Sequence, residues 1–122
     1  MCKMLLSINP QHVENILNGQ KKFEFRKVRC RADVDNIVLY ATSPIMQIVG
    51  EADVIEIIQD SLDVVWEITS EYAGISRRFY DEYYQGKDKA VAYKLGKVKR
   101  YERPLQLSDL GIGFAPQSFV YI

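Results

Sequence analysis

The chain has 122 residues, 48% hydrophobic and 26% charged, with sixteen Lys or Arg balancing sixteen Asp or Glu. That size and mix suit one soluble domain with a real core, and no apolar run approaches the roughly 18 residues of a membrane span. Zero net charge argues against strong non-specific binding to long DNA, which scales with the phosphates neutralised.

The opening apolar stretch is too short for a signal peptide and runs straight into a predicted strand at 3–8, so a cytoplasmic location is expected. Pro10 sits where the first turn of a helix tolerates it. That helix carries Val13, Ile16 and Leu17 inward and stops at Asn18-Gly19, because glycine takes the left-handed closing conformation without steric cost. His12, among Gln11, Glu14 and Asn15, is expected to face solvent. Cys2 and Cys30 lack metal-ligand spacing and one histidine cannot complete a zinc site, so neither metal nor cofactor is expected.

From Lys22 to Arg29 the pattern alternates: Phe23 and Phe25 mark one face, and Glu24 and Arg26 point together away from them. The simplest reading is a half-buried strand with a solvated, ion-paired outer face. A buried strand at 36–42, a turn at Ser43-Pro44 and a long strand at 45–58 follow, and Gly50 marks a bend in the long strand. Helical spacing runs from 61 to Tyr72 and closes at Gly74; Ser76 caps a second helix ending near Tyr84. Trp66 and Phe79 are expected in the core. Extended segments at 89–98 and 101–107 and a last strand at 119–122 complete an α+β architecture: a mixed β-barrel of five to seven strands with flanking helices.

Charge is segregated along this order. Residues 21–31 hold six bases and only Glu24 as an acid, 51–71 hold seven acids and no base, and Lys94, Lys97, Lys99, Arg100 and Arg103 form a second basic run. Such blocks suit a basic face for phosphates with the acids kept apart. The second run reads more simply as a solvated strand edge.

The segment Gly19-x-Lys21-x-x-Glu24-x-Arg26 resembles the signature of the ASCH (activating signal cointegrator homology) domain, of the PUA-like superfamily. The opening Leu5-Leu6-Ser7-Ile8-Asn9-Pro10 is similar to the family's first strand. The later stretches Phe79-Tyr80-x-x-Tyr83-Tyr84-x-Gly86-Lys87 and Ala115-Pro116-Gln117-Ser118-Phe119-x-Tyr121 are similar to its later ones, so one domain over 1–122 is expected.

The resemblance implies a PUA-like barrel with a cleft beside the motif strand and roles in RNA or nucleotide recognition, in places hydrolysis. Lys21 and Arg26 offer positive charge, Arg in a bidentate fork. Glu24 can accept from a base amino group or act as a general base. Tyr40, Tyr83, Tyr84 and Tyr93 offer stacking surface, and Ser43, Gln117 and Ser118 offer short polar groups. The tyrosines and Gln117-Ser118 equally suit ordinary structural roles. Three functions stay open: a binder of RNA or a nucleotide-like ligand, a hydrolase of a modified nucleoside with Lys21 and Glu24 as catalytic residues, or a protein-interaction module using the aromatic helix at 79–84. In the amide-hydrolysing branch a threonine stands where this chain has Glu24, which weakens the second.

Overall fold

The computed structural model describes residues 2–31 and 33–122. In chain order it runs β1 (Cys2–Ile8), α1 (Pro10–Leu17), β2 (Phe23–Arg26), β3 (Val34–Ala41), β4 (Gln47–Ser61), α2 (Leu62–Thr69), α3 (Arg77–Tyr83), β5 (Lys89–Leu105) and β6 (Phe119–Tyr121). Short 3-10 turns occupy Ser70–Tyr72 and Leu107–Leu110. The six strands form one mixed sheet in the order β2-β5-β4-β3-β1-β6, in which β1 and β3 pair in parallel and all other pairs are antiparallel. The sheet curls into a half-barrel. β4 supplies much of the curl, since its ladders shift register at several points around Gly50. A Cβ on Gly50 would fall 2.5 Å from the Lys99 carbonyl oxygen, so the strands approach there only without a side chain.

Inside the curl Met4, Leu6, Ile8, Ile37, Leu39 and Tyr93 pack under Val13 and Ile16 of α1. A second core lies where α2 and α3 cover the end of the sheet, with Phe23, Phe25, Val65, Tyr80 and Tyr84 at its centre. β2 is therefore buried on both faces. The Phe23/Phe25 face meets the helices, and Glu24 and Arg26 stand in register with Tyr93 and Val91, which belong to the inner core. The expected solvated outer face of β2 is in fact the interior side, because the sheet curls over it.

The extended segments expected at 89–98 and 101–107 are one 17-residue strand. Pro104 fits there because β2 covers only residues 91–94 of β5, leaving the far half with β4 as its one strand neighbour. Charge is also less segregated in space than along the chain: Glu51 of β4 stands opposite Lys99, and Glu56 opposite Lys94. Among the described residues no helix is long and apolar enough to cross a membrane.

Candidate functional site: a cleft along the β2 edge

β2 ends the sheet on one side and β6 on the other. Their approach is bridged by a side chain, not by backbone pairing. The Arg26 guanidinium donates to the Ser7 carbonyl at 3.0 Å and to Ser118 Oγ at 3.2 Å, and it contacts Glu24 Oε2 at 3.0 Å. Ser7 in turn donates through its N–H to the Ser118 carbonyl at 3.0 Å and through its hydroxyl to the Pro116 carbonyl at 2.7 Å. A cleft of about 160 Å³ opens beside this bridge. Lys21, Glu24 and Arg26 supply its charge, His12, Ser7 and Asn9 its neutral polar groups, and Ile8, Phe25, Ile75, Phe79 and Tyr83 its apolar walls.

Lys21 is only 2% exposed. Its backbone N–H donates to the Asn15 carbonyl at 2.9 Å, and its ammonium donates to the Ala73 carbonyl at 2.6 Å and lies 4.9 Å from the centre of the Phe25 ring. Its stem runs over Gly74, where a Cβ would come within 2.7 Å of Lys21 Cβ and where φ is +71°. Gly74 meets two needs at once, the left-handed turn and the room for the lysine. Desolvation lowers the Lys21 pKa, aided by Arg26 and opposed by the Glu24 charge. Desolvation also lowers the His12 pKa, again with Lys21 assisting and Glu24 opposing. The Nδ1 atom of His12 and the Nε of Arg26 are buried and have no hydrogen-bond partner among the described residues.

Of the residues singled out in the sequence, Lys21, Glu24, Arg26 and Tyr83 line the cleft, and Ser118 is held at its rim by Arg26. Lys27 extends over the Tyr83 ring at 4.8 Å. Arg29 and Arg31 turn elsewhere, towards Gln59 and towards Cys2 and Tyr121, so the basic stretch 21–31 contributes only in part.

The other tyrosines do not line the cleft. Tyr84 is fully buried; its hydroxyl donates to the Arg26 carbonyl at 2.9 Å and accepts from the Val91 N–H at 3.4 Å, stitching β2 to β5. The Tyr93 hydroxyl accepts from the Cys30 N–H at 2.9 Å and donates to the Val28 carbonyl, pinning the loop after β2. Tyr40 is in register with Ser7 but packs with Leu5, Val38 and Ile48. Ser43 and Gln117 are exposed, and neither lines the cleft.

Two expectations are corrected here. His12 is half-buried in the cleft wall instead of facing solvent, because the chain after β1 turns α1 so that its first turn meets α3, with the His12 and Phe79 rings 5.7 Å apart. Phe79 is 47% exposed and forms that wall, whereas its neighbour Tyr80 is the residue in the core. Tyr80 and Tyr84 pack in the core, whereas Phe79 and Tyr83 line the cleft. Among the described residues no three His, Cys, Asp or Glu side chains stand together as a metal-binding group.

The family model of the ASCH domain matches residues 6–99, more than half of the chain. The chain belongs to the ASCH family. It is 29% identical over 97% of its length to an ASCH domain-containing ribonuclease from Zymomonas mobilis, of which it covers 82%. The crystal structure of ASCH from Zymomonas mobilis superimposes with a TM-score of 0.90 at 27% identity, covering 98% of this chain and 87% of that one. From Ureaplasma parvum, ATP synthase subunit alpha matches at 29% and large ribosomal subunit protein uL22 at 30%, each over 98% of this chain. The chain spans only 15% and 39% of those two relatives. ASCH homologues thus include one named for action on RNA.

Proposed function

We propose that the protein recognises RNA by seating one unpaired nucleotide in the β2-edge cleft. The observation that carries this reading is the Glu24–Arg26 pair, 3.0 Å apart, lining the same cleft as the rings of Phe79 and Tyr83. Glu24 Oε1 and the remaining Nη1 hydrogen of Arg26 are an acceptor and a donor suited to a base edge, beside rings against which a base can pack. A volume of about 160 Å³ is well under the roughly 300–1,000 Å³ of pockets enclosing drug-sized ligands, so it suits a base-sized group with the rest of the strand outside. Double-stranded RNA keeps its base edges stacked and paired, so single-stranded segments are the fitting class. The Zymomonas mobilis relative named as a ribonuclease supports RNA as the ligand.

A second reading, catalysis on the bound nucleotide, rests on Lys21. Burial favours its neutral amine, which suits a proton-transfer role beside the Glu24 carboxylate. Anisotropy with a labelled single-stranded octaribonucleotide, run beside a gel assay for breakdown, tests both. In a binder, Lys21→Ala and Glu24→Gln each weaken affinity by about tenfold or more. In an enzyme, turnover falls about a hundredfold while binding largely survives. If neither variant alters either readout, the cleft is scaffold.

A further inference from the structure

We propose that the cleft is one half of a two-compartment groove, and that the ligand is a strand of at least two linked nucleotides, not a free nucleotide. This rests on the reading of the cleft as an RNA site. Immediately past the cleft lies a shallower pocket that shares four of its lining residues, Asn9, His12, Ile75 and Phe79. The two hollows are therefore contiguous across the ridge of the His12 and Phe79 rings, which pack edge to face at 5.7 Å with an interplanar angle of 70°. A strand whose first nucleotide occupies the cleft meets the second hollow as soon as its phosphodiester crosses that ridge.

The chemistry of the second compartment suits a ribose-phosphate segment. Its own residues are Gln11, Gly74 and Ser76, and no carboxylate lines it. Asn9 Oδ1 accepts from the Gln11 N–H at 2.9 Å and Ser76 Oγ from the Phe79 N–H at 3.1 Å. Those bonds occupy the acceptors and leave the Asn9 amide hydrogens and the Ser76 hydroxyl hydrogen to donate. The Gln11 carboxamide is exposed and makes no hydrogen bond among the described residues. Neutral donors without a nearby carboxylate favour phosphate and sugar oxygens. Gly74 borders this hollow and lies against the Lys21 stem, which a side chain there would strike.

Calorimetry with the four nucleoside 5′-monophosphates and the ribodinucleotides ApA, CpC, GpG and UpU tests the proposal. The best dinucleotide should bind about tenfold or more tightly than its mononucleotide, although it carries fewer phosphate charges. Gln11→Glu places a carboxylate in the second hollow and, lying in the first turn of α1, suits the helix dipole, so the fold tolerates it. It should cut the ratio of the two affinities towards one. A dinucleotide no tighter than its mononucleotide, or a Gln11→Glu variant that keeps the ratio intact, overturns the second compartment. Mononucleotide binding that needs Glu24, with no gain in the dinucleotide, leaves the cleft reading standing alone. Absence of binding by every probe overturns both.

Discussion

Arg26 and Arg77 each face carboxylates, and they teach opposite lessons about the same chemistry. Arg77 has the better distances, 2.7 Å to Asp63 and 2.8 Å to Asp81, but its side chain is 42% exposed and theirs are 85% and 53% exposed. Water and salt screen that attraction, so little of it survives as stability. The Arg26–Glu24 contact is longer, at 3.0 Å, yet only 14% and 9% of those side chains are exposed. There the desolvation cost rivals the attraction, so the pair is weak evidence of stability, while removing one partner strands a buried charge. Environment, not separation, decides what the loss of an arginine costs. It also explains why the cleft end of the molecule is where binding energy can be concentrated.

The comparison breaks most visibly with Arg26→Ala. It strands Glu24 and opens the bridge from β2 to Ser7 and Ser118, and urea titration should show a loss of about 3–5 kcal/mol. A loss no larger than that of Arg77→Ala would put Arg26 in the same class as Arg77.

A pH series with Lys21→Met sharpens the point for a buried base. The Lys21 pKa in the fold is below its ordinary 10.5, so between the folded value and 10.5 the unfolded chain binds more protons and stability rises with pH. Below the folded value both states are protonated, and the burial penalty is present in full. Thermal melts should therefore show wild type gaining on Lys21→Met as the pH climbs towards 10.5. Parallel curves would mean that the ammonium is fully solvated.

The smallest effect is expected for Arg77→Ala, a barely resolvable shift of the urea midpoint that fades further in high salt.

Local rules carried much of this into the sequence. The Asn18-Gly19 stop, the Ser76 cap and the alternation that sets Glu24 and Arg26 against Phe23 and Phe25 all depend on neighbours a few residues away, and all are present. Alternation states that a strand has two faces, but it does not say which of them meets water. Only the curl of the sheet decides that, and it turned the charged face of β2 inward. His12 departs from its expected solvent-facing position for the same reason, since its polar helical neighbours say nothing of α3, more than sixty residues on. Tyr84 and Tyr93 looked like stacking surface because composition cannot distinguish a hydroxyl that reaches ligand from one that ties two strands together.

The bridge at Arg26 also bears on where the working unit ends. The family match stops at residue 99, yet Ser118 and the Pro116 carbonyl, which complete the contacts of Arg26 and Ser7, lie beyond it. A shortened version cut at that boundary would keep the motif strand, α1 and both helical walls, but it would also end β5 part-way and lack β6 and the rim of the cleft. Grafting this module onto another protein, or trimming it for expression, therefore calls for carrying the tail through Tyr121 even though the recognisable signature is spent long before.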